Sequence, residues 1–172
     1  MTSILKVDNI QTVAGAAPNL TDIGFSRANE IIAVYRATSS TSSQSTTSNA
    51  FINITGMSIT MTPKLATSKI LVSATIAGET YGSFTDRGIR FAIYGGASGT
   101  TVRYYSEYDL YNSSSAGQRI SKVPLTYVET ASDTSARTYN IAFASTTSNA
   151  NATARVNQYG EPSQMIVYEI GQ

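Results

Sequence analysis

From Met57 to Ile76 the chain reads MSITMTPKLATSKILVSATI, and this stretch limits what the rest can be. Met57, Ile59 and Met61 alternate with Ser58, Thr60 and Thr62, so one face is apolar and the other carries hydroxyls. A period of two is that of a half-buried β-strand. Pro63 ends the run, because proline removes a ladder donor and holds the preceding residue extended. After six further residues Ile70, Val72, Ala74 and Ile76 form a second apolar row. Two neighbouring strands with one apolar face each have to bury those faces, and a second sheet is the usual partner.

The same alternation recurs along the chain. It predicts strands around Glu30–Thr38, Ile89–Ile93, Val102–Leu110, Val123–Tyr127, Tyr139–Phe143 and Ala152–Val156, and no stretch has a helical period. Pro124 places its strand at an edge or bulge, and Gly56 marks a bulge before Met57. Glu79–Arg87 reads as a loop. Met165–Ile170 is apolar on nearly every residue, the pattern of a strand buried on both faces. Thr38–Ser48 is Ser or Thr at every position except Gln44 and reads as a solvated loop, although a hydroxyl-rich binding edge has the same composition. Asn112–Gly117 is a second Ser-rich loop. The expectation is an all-β, antiparallel β-sandwich of eight to nine strands, jelly-roll-like, spanning 30–172.

Residues 1–29 differ. Ile4, Val7 and Ile10 follow neither a strand nor a long helix, and Gly15–Asn19 breaks the chain. Too short for a core of its own, this segment is expected to pack on a neighbouring chain or a partner. Lys6 and Asp8 stand where a signal peptide would have its apolar core, so no secretion signal is expected there.

Composition narrows the chemistry. Charged residues are only 13% of the chain against a usual quarter or so, while apolar residues are an ordinary 41%. A charge-poor, hydroxyl-rich surface suits an extracellular or virion protein and leaves neutral area for subunit contact. Histidine, cysteine and tryptophan are absent, which removes Cys/His zinc sites, thiol nucleophiles and His-based triads. A net charge of +1 without a basic run gives no footprint for nucleic acid. No apolar run approaches the ~20 residues of a membrane span. Neither a calcium loop nor a phosphate cradle is present: Gly95–Gly99 follows a strand without opening a helix, and no cofactor is expected. The four Asn-x-Ser/Thr sequons are what so Asn/Ser/Thr-rich a chain contains by chance.

One constellation has catalytic potential. Glu107 and Asp109 share one strand face, their Cα atoms about 6.5–7 Å apart, within the carboxylate separations of roughly 5–9.5 Å that glycosidases use. With Arg103, Tyr105 and Tyr111 on the same parity they also make a candidate saccharide-binding face, tyrosine supplying stacking area. The plain reading is a solvent-facing row, since acid–base work needs one carboxyl desolvated and nothing in the sequence forces that. Eleven tyrosines against five phenylalanines is a bias seen at binding surfaces.

Three segments resemble a known family. Ser3–Thr12, SILKVDNIQT, is similar to the opening of small structural proteins of tailed phages, especially those of cyanobacteria and marine bacteria. Ile59–Pro63 with Thr67–Val72, and the closing Ile166–Ile170, resemble the core and last strand of the same proteins. The resemblance implies a homotrimeric, non-enzymatic tail-fibre head with a jelly-roll fold, located in the virion. It implies attachment to other virion proteins through Ile4, Leu5, Lys6, Val7, Asp8 and Ile10, with host-surface glycan as a further partner. Capsid decoration with the same fold is the alternative, and a glycan-cleaving fibre enzyme using Glu107 and Asp109 is a third reading.

Overall fold

A computed structural model describes residues 29–84, 86–111 and 117–172. Ten strands cross the described residues: β1 (Ile31–Thr38), β2 (Gln44–Thr46), β3 (Ile52–Met61), β4 (Lys69–Tyr81), β5 (Asp86–Gly95), β6 (Thr101–Tyr111), β7 (Gln118–Thr130), β8 (Arg137–Ser145), β9 (Thr153–Val156) and β10 (Gln164–Ile170). All pairings are antiparallel. In the first sheet β4 is central. It carries β7 along one side; along the other it pairs β10 with its first half and β9 with its second. β1 lies outside β10, and β2 outside β9. The second sheet runs β3-β8-β5-β6. Without the short β2 and β9, the order β1-β10-β4-β7 over β3-β8-β5-β6 is the eight-stranded jelly roll, whose two Greek keys alternate strands between sheets.

The core lies between the sheets and is built from the alternation read in the sequence. Met57, Ile59 and Met61 from β3, and Ile70, Val72, Ala74 and Ile76 from β4, are buried. They meet Ile89, Phe91 and Ile93 of β5 and Tyr139, Ile141 and Phe143 of β8. Gly56 forms the bulge expected of it: the β3–β8 register shifts between Asn53 and Ser58, and Gly56 takes φ +84° with the carbonyl of Thr38 too close for a Cβ. β7 is an edge strand, which accommodates Pro124 opposite Thr75.

Three expectations are corrected. Part of the Ser/Thr stretch is strand: Gln44–Thr46 pairs Val156–Ala154 as β2, and the Gln44 Oε1 accepts the Thr55 N–H at 2.7 Å. Polar side chains do not prevent a ladder, which needs only backbone groups. β10 is not buried on both faces; Met165, Val167 and Glu169 turn inward while Ile166, Tyr168 and Ile170 stay partly exposed. The loop read at Glu79–Arg87 is shorter, because β4 runs to Tyr81 and β5 begins at Asp86. Arg87 is fully buried there and donates from Nη1 to the carbonyls of Gly82 at 2.6 Å and Phe84 at 3.3 Å.

Candidate functional site

The outward face of the first sheet carries an apolar row in the half formed by β1, β10 and the start of β4 with the end of β7, between rows that hold Arg36, Ser73 and Thr126 on one side and Lys69 and Thr130 on the other. Val34 pairs Tyr168, Tyr168 pairs Leu71 and Leu71 pairs Val128, one row across four strands. Period-two alternation puts all four on the side away from Met165 and Val167, which are in the core. Ile166 and Ile170 flank Tyr168 on the same side of β10, and Ile170 pairs Ile31. Val34, Ile31 and Val128 are 47%, 53% and 55% exposed. Three inter-strand spacings make the row about 14 Å wide. An apolar row with exposed aliphatic ends, continuous across four strands, is a candidate contact surface.

Where the second sheet meets the end of β7, Glu129 gathers four partners. The Tyr139 hydroxyl donates to its Oε1 at 2.5 Å and the Tyr127 hydroxyl to Oε2 at 3.1 Å. Arg137 Nη1 lies 3.4 Å from Oε1 and Arg103 Nε 3.7 Å from Oε2. Arg137 continues to the carbonyl of Ala131 at 2.5 Å and to Asp133 at 3.0 Å. Burial, reinforced by the hydrogen bond to Glu129 and its charge, pushes the Tyr139 hydroxyl far above the ordinary range for tyrosine. Burial and the Glu129 charge raise Tyr127 in the same way. The Ser135 backbone N–H, aided by Arg137, holds the Asp133 carboxyl below the usual range. Burial works against the Arg137 charge, but Tyr139, Glu129 and Asp133 together hold its pKa above the ordinary value. A polar cleft of about 320 Å³ opens beside the cluster, between the Gly96–Ala97 turn and Ser132–Arg137.

One residue of the saccharide-binding face read from the sequence, Arg103, takes part in this cluster. The β5–β6 register shifts between Ile93 and Tyr94, and Arg103 packs against Gly95 on its way to Glu129. Tyr105 and Glu107 remain on the exposed strand, with Glu107 opposite Arg90. Asp109 and Tyr111 follow on the same strand, opposite Gly88 and Asp86. Among the described residues β6 pairs only β5, and its Val102 and Tyr104 are open to solvent. The attachment residues Ile4, Leu5, Lys6, Val7, Asp8 and Ile10 lie outside the described residues.

The two motif segments at the heart of the resemblance meet in space. Glu169, fully buried on the inward parity of β10, accepts at one oxygen, Oε1, from the backbone N–H of Lys64 at 2.6 Å and of Leu65 at 3.2 Å, and from the Ser68 hydroxyl at 2.9 Å. It thereby closes the Pro63–Ser68 connection onto the end of the sandwich. Sequence reading missed Glu129 and Glu169: the partners of Glu169 lie over a hundred residues away, and those of Glu129, mostly close in sequence, meet it only because strands of the two sheets come together there. Glu169 had one signal: an acid on the inward parity of an apolar strand has to be satisfied there.

No family model and no curated protein matches the chain. Similar solved structures include an infectious bursal disease virus particle (12% identity, TM-score 0.44, covering 97% of this chain and 40% of that one). A VP2 subviral particle of the same virus is 15% identical with a TM-score of 0.42, covering 81% of this chain and 38% of that one. Dimeric latent PorU from Porphyromonas gingivalis is 7% identical with a TM-score of 0.45, covering 86% and 14%. The chain spans about two fifths of the length of the viral chains it matches.

Proposed function

We propose that the chain is a structural protein of a phage virion, a homotrimeric jelly-roll head of the tail-fibre type that acts by binding at the host surface and not by chemistry. The apolar band Val34–Tyr168–Leu71–Val128 carries the reading. A jelly roll standing alone presents its outer faces to water, and a charge-poor chain that spends aliphatic residues on such a face has a contact to cover it. The occupant is a second copy of the chain. The phage proteins that the sequence resembles imply trimeric heads, and the fold is one that viral capsid and lectin domains use, an analogy at the level of fold. Val34 and Val128 lie on β1 and β7, edge strands on opposite sides of β4 among the described residues, so a neighbour related by a rotation can lay an edge on this face and close a ring.

Sedimentation velocity at micromolar concentration tests it. A trimer is expected for the native chain, and the pair Val34→Glu and Val128→Glu should give a folded monomer, since both positions are open in the single subunit. A native chain that sediments as a monomer or dimer overturns the trimer. Locating the chain in a particle reconstruction decides tail against capsid surface, and capsid placement would replace the fibre reading.

A further inference from the structure

The other half of the same outward face is polar, aromatic and differently built. Glu79 of β4 pairs Arg155 of β9 on one side and Arg119 of β7 on the other. The Glu79 side chain is buried, with Arg155 Nη1 at 3.5 Å from Oε2 and the Tyr159 hydroxyl at 3.4 Å from Oε1. Each arginine lies under a tyrosine ring: Arg155 is 4.1 Å from the centroid of Tyr81, and Arg119 is 4.8 Å from that of Tyr159. Arg119 is held in turn by Glu161 at 2.5 Å. Glu161 then lines a cavity of about 270 Å³ with Thr75, Lys122, Pro162 and Gln164.

Tyr159 is what needs explaining. It sits in the turn Gln158–Gly160 at φ +61°, in the left-handed region that a residue with a side chain avoids, between Asn157 at +58° and Gly160 at +75°. A ring that braced the fold would offset that conformation by burial. This one is 66% exposed, although one face lies on Arg119 and its hydroxyl reaches Glu79. Tyr81, across Glu79, is 41% exposed in the same way. Unfavourable backbone that displays a side chain is found at binding sites.

We infer that this surface is a saccharide site: the exposed ring of Tyr159 stacks on the apolar face of a neutral hexose whose hydroxyls reach the cavity bounded by Glu161, Gln164 and Lys122. A hexose offers what these groups match, a C–H face for the ring and vicinal hydroxyls for a carboxylate, an amide and an ammonium held side by side. The charges of both arginines are offset by Glu79 and Glu161, which favours a neutral sugar over an acidic one. Lys122 also takes a left-handed φ of +57° at the cavity edge, another side chain placed there against backbone preference. The site lies on a different face from Tyr105 and Glu107 and rests on the host-attachment reading above.

Saturation-transfer difference NMR on the full chain, with the methyl glycosides of glucose, galactose and mannose as probes, tests the inference. Transfer to the ring C–H protons of at least one glycoside is expected, with millimolar dissociation. Tyr159→Ala should weaken it at least tenfold and Tyr105→Ala should leave it unchanged. Tyr159→Gly separates display from bracing, since glycine accepts the left-handed turn: it should melt no lower than the native chain and still lose the transfer. Absence of transfer with all three glycosides, or its survival in Tyr159→Ala, overturns the site. The readout is a contact of each single chain with a free sugar. A monomer in sedimentation therefore sinks the trimer without touching this site, and a trimer that ignores sugars sinks only this site.

Discussion

Two carboxylates, Glu169 and Glu129, each opposite Ile70 of β4, hold one end of the sandwich, and each has a measurable signature. All three donors to Glu169 converge on Oε1, so Glu169→Ala leaves two backbone N–H groups and a hydroxyl without their acceptor. At about 1–3 kcal/mol per buried group left unsatisfied, with some relaxation toward water, the loss should be about 2–4 kcal/mol. Glu169→Gln can present its amide oxygen at the same place and should lose no more than about 1.5 kcal/mol. Urea unfolding of the two variants checks the gap; equal losses would show that the carboxylate does not act as this acceptor. Tyr139 has a signature in pH. Its folded pKa is raised above the ordinary 10.0, so below pH 10 its contribution to stability is fully present. As pH rises beyond 10 the unfolded chain releases the phenolic proton first, and the contribution is lost. Stability should therefore fall above pH 10, and Tyr139→Phe should flatten that fall while costing about 1 kcal/mol at pH 8 from the lost hydrogen bond to Glu129. Unfolding midpoints from pH 8 to 12 in the two proteins measure it. The alternation of Met57, Ile59 and Met61 was open to reading because burial repeats locally. Glu129 draws on Arg103 and Arg137, whose strands belong to the other sheet, and no alternation pattern encodes that meeting.

At the scale of elements, the sequence was informative wherever a strand had one apolar side. Strands β4, β5 and β8 lie where alternation put them, because their inner rows are the core itself. β2 was hidden because its three residues bury no apolar side chain and its contribution is a backbone ladder to β9. β10 misled for the opposite reason: its outward residues Ile166, Tyr168 and Ile170 are as apolar as its inward ones, which a two-sided burial would also require. The same composition serves a strand under a second sheet and a strand whose outer face awaits another subunit. Sequence period distinguishes inside from outside only when the outside is polar. The polar half of that outer face escaped notice for a related reason, since Glu79 and Tyr81 were assigned to a loop and Arg119, Arg155 and Tyr159 come from three separate segments.

For the whole molecule, the remaining division is between the sandwich and residues 1–28. The buried cluster draws on residues from Ile54 to Val167, with Tyr35 and Ala37 packed against it. Its two ends are tied within the described residues: the Asn29 N–H reaches the Gly171 carbonyl at 2.8 Å, and the Gly171 N–H reaches the Glu30 carbonyl at 2.8 Å. Among the described residues, these bonds are where the two ends of the sandwich meet. The preceding residues include Ile4, Leu5, Val7, Ile10 and Phe25. At about 1.5–3 kcal/mol for each large apolar side chain fully buried, five of them can hold a firm contact with another protein. Were that contact made with the chain's own sandwich, deleting residues 1–28 would expose core and lower the melting temperature by well over ten degrees, since about 1 kcal/mol corresponds to a few degrees in a domain of this size. Were it made with the particle, the deleted protein would melt within a few degrees of the full chain and fail to enter virions. The second result is expected, because the strands from β1 onward already supply the apolar rows of two packed sheets. Calorimetry on the truncated chain together with incorporation into particles measures both arms. A truncated protein that is unfolded, or one that still assembles onto virions, would end the assignment of residues 1–28 to attachment.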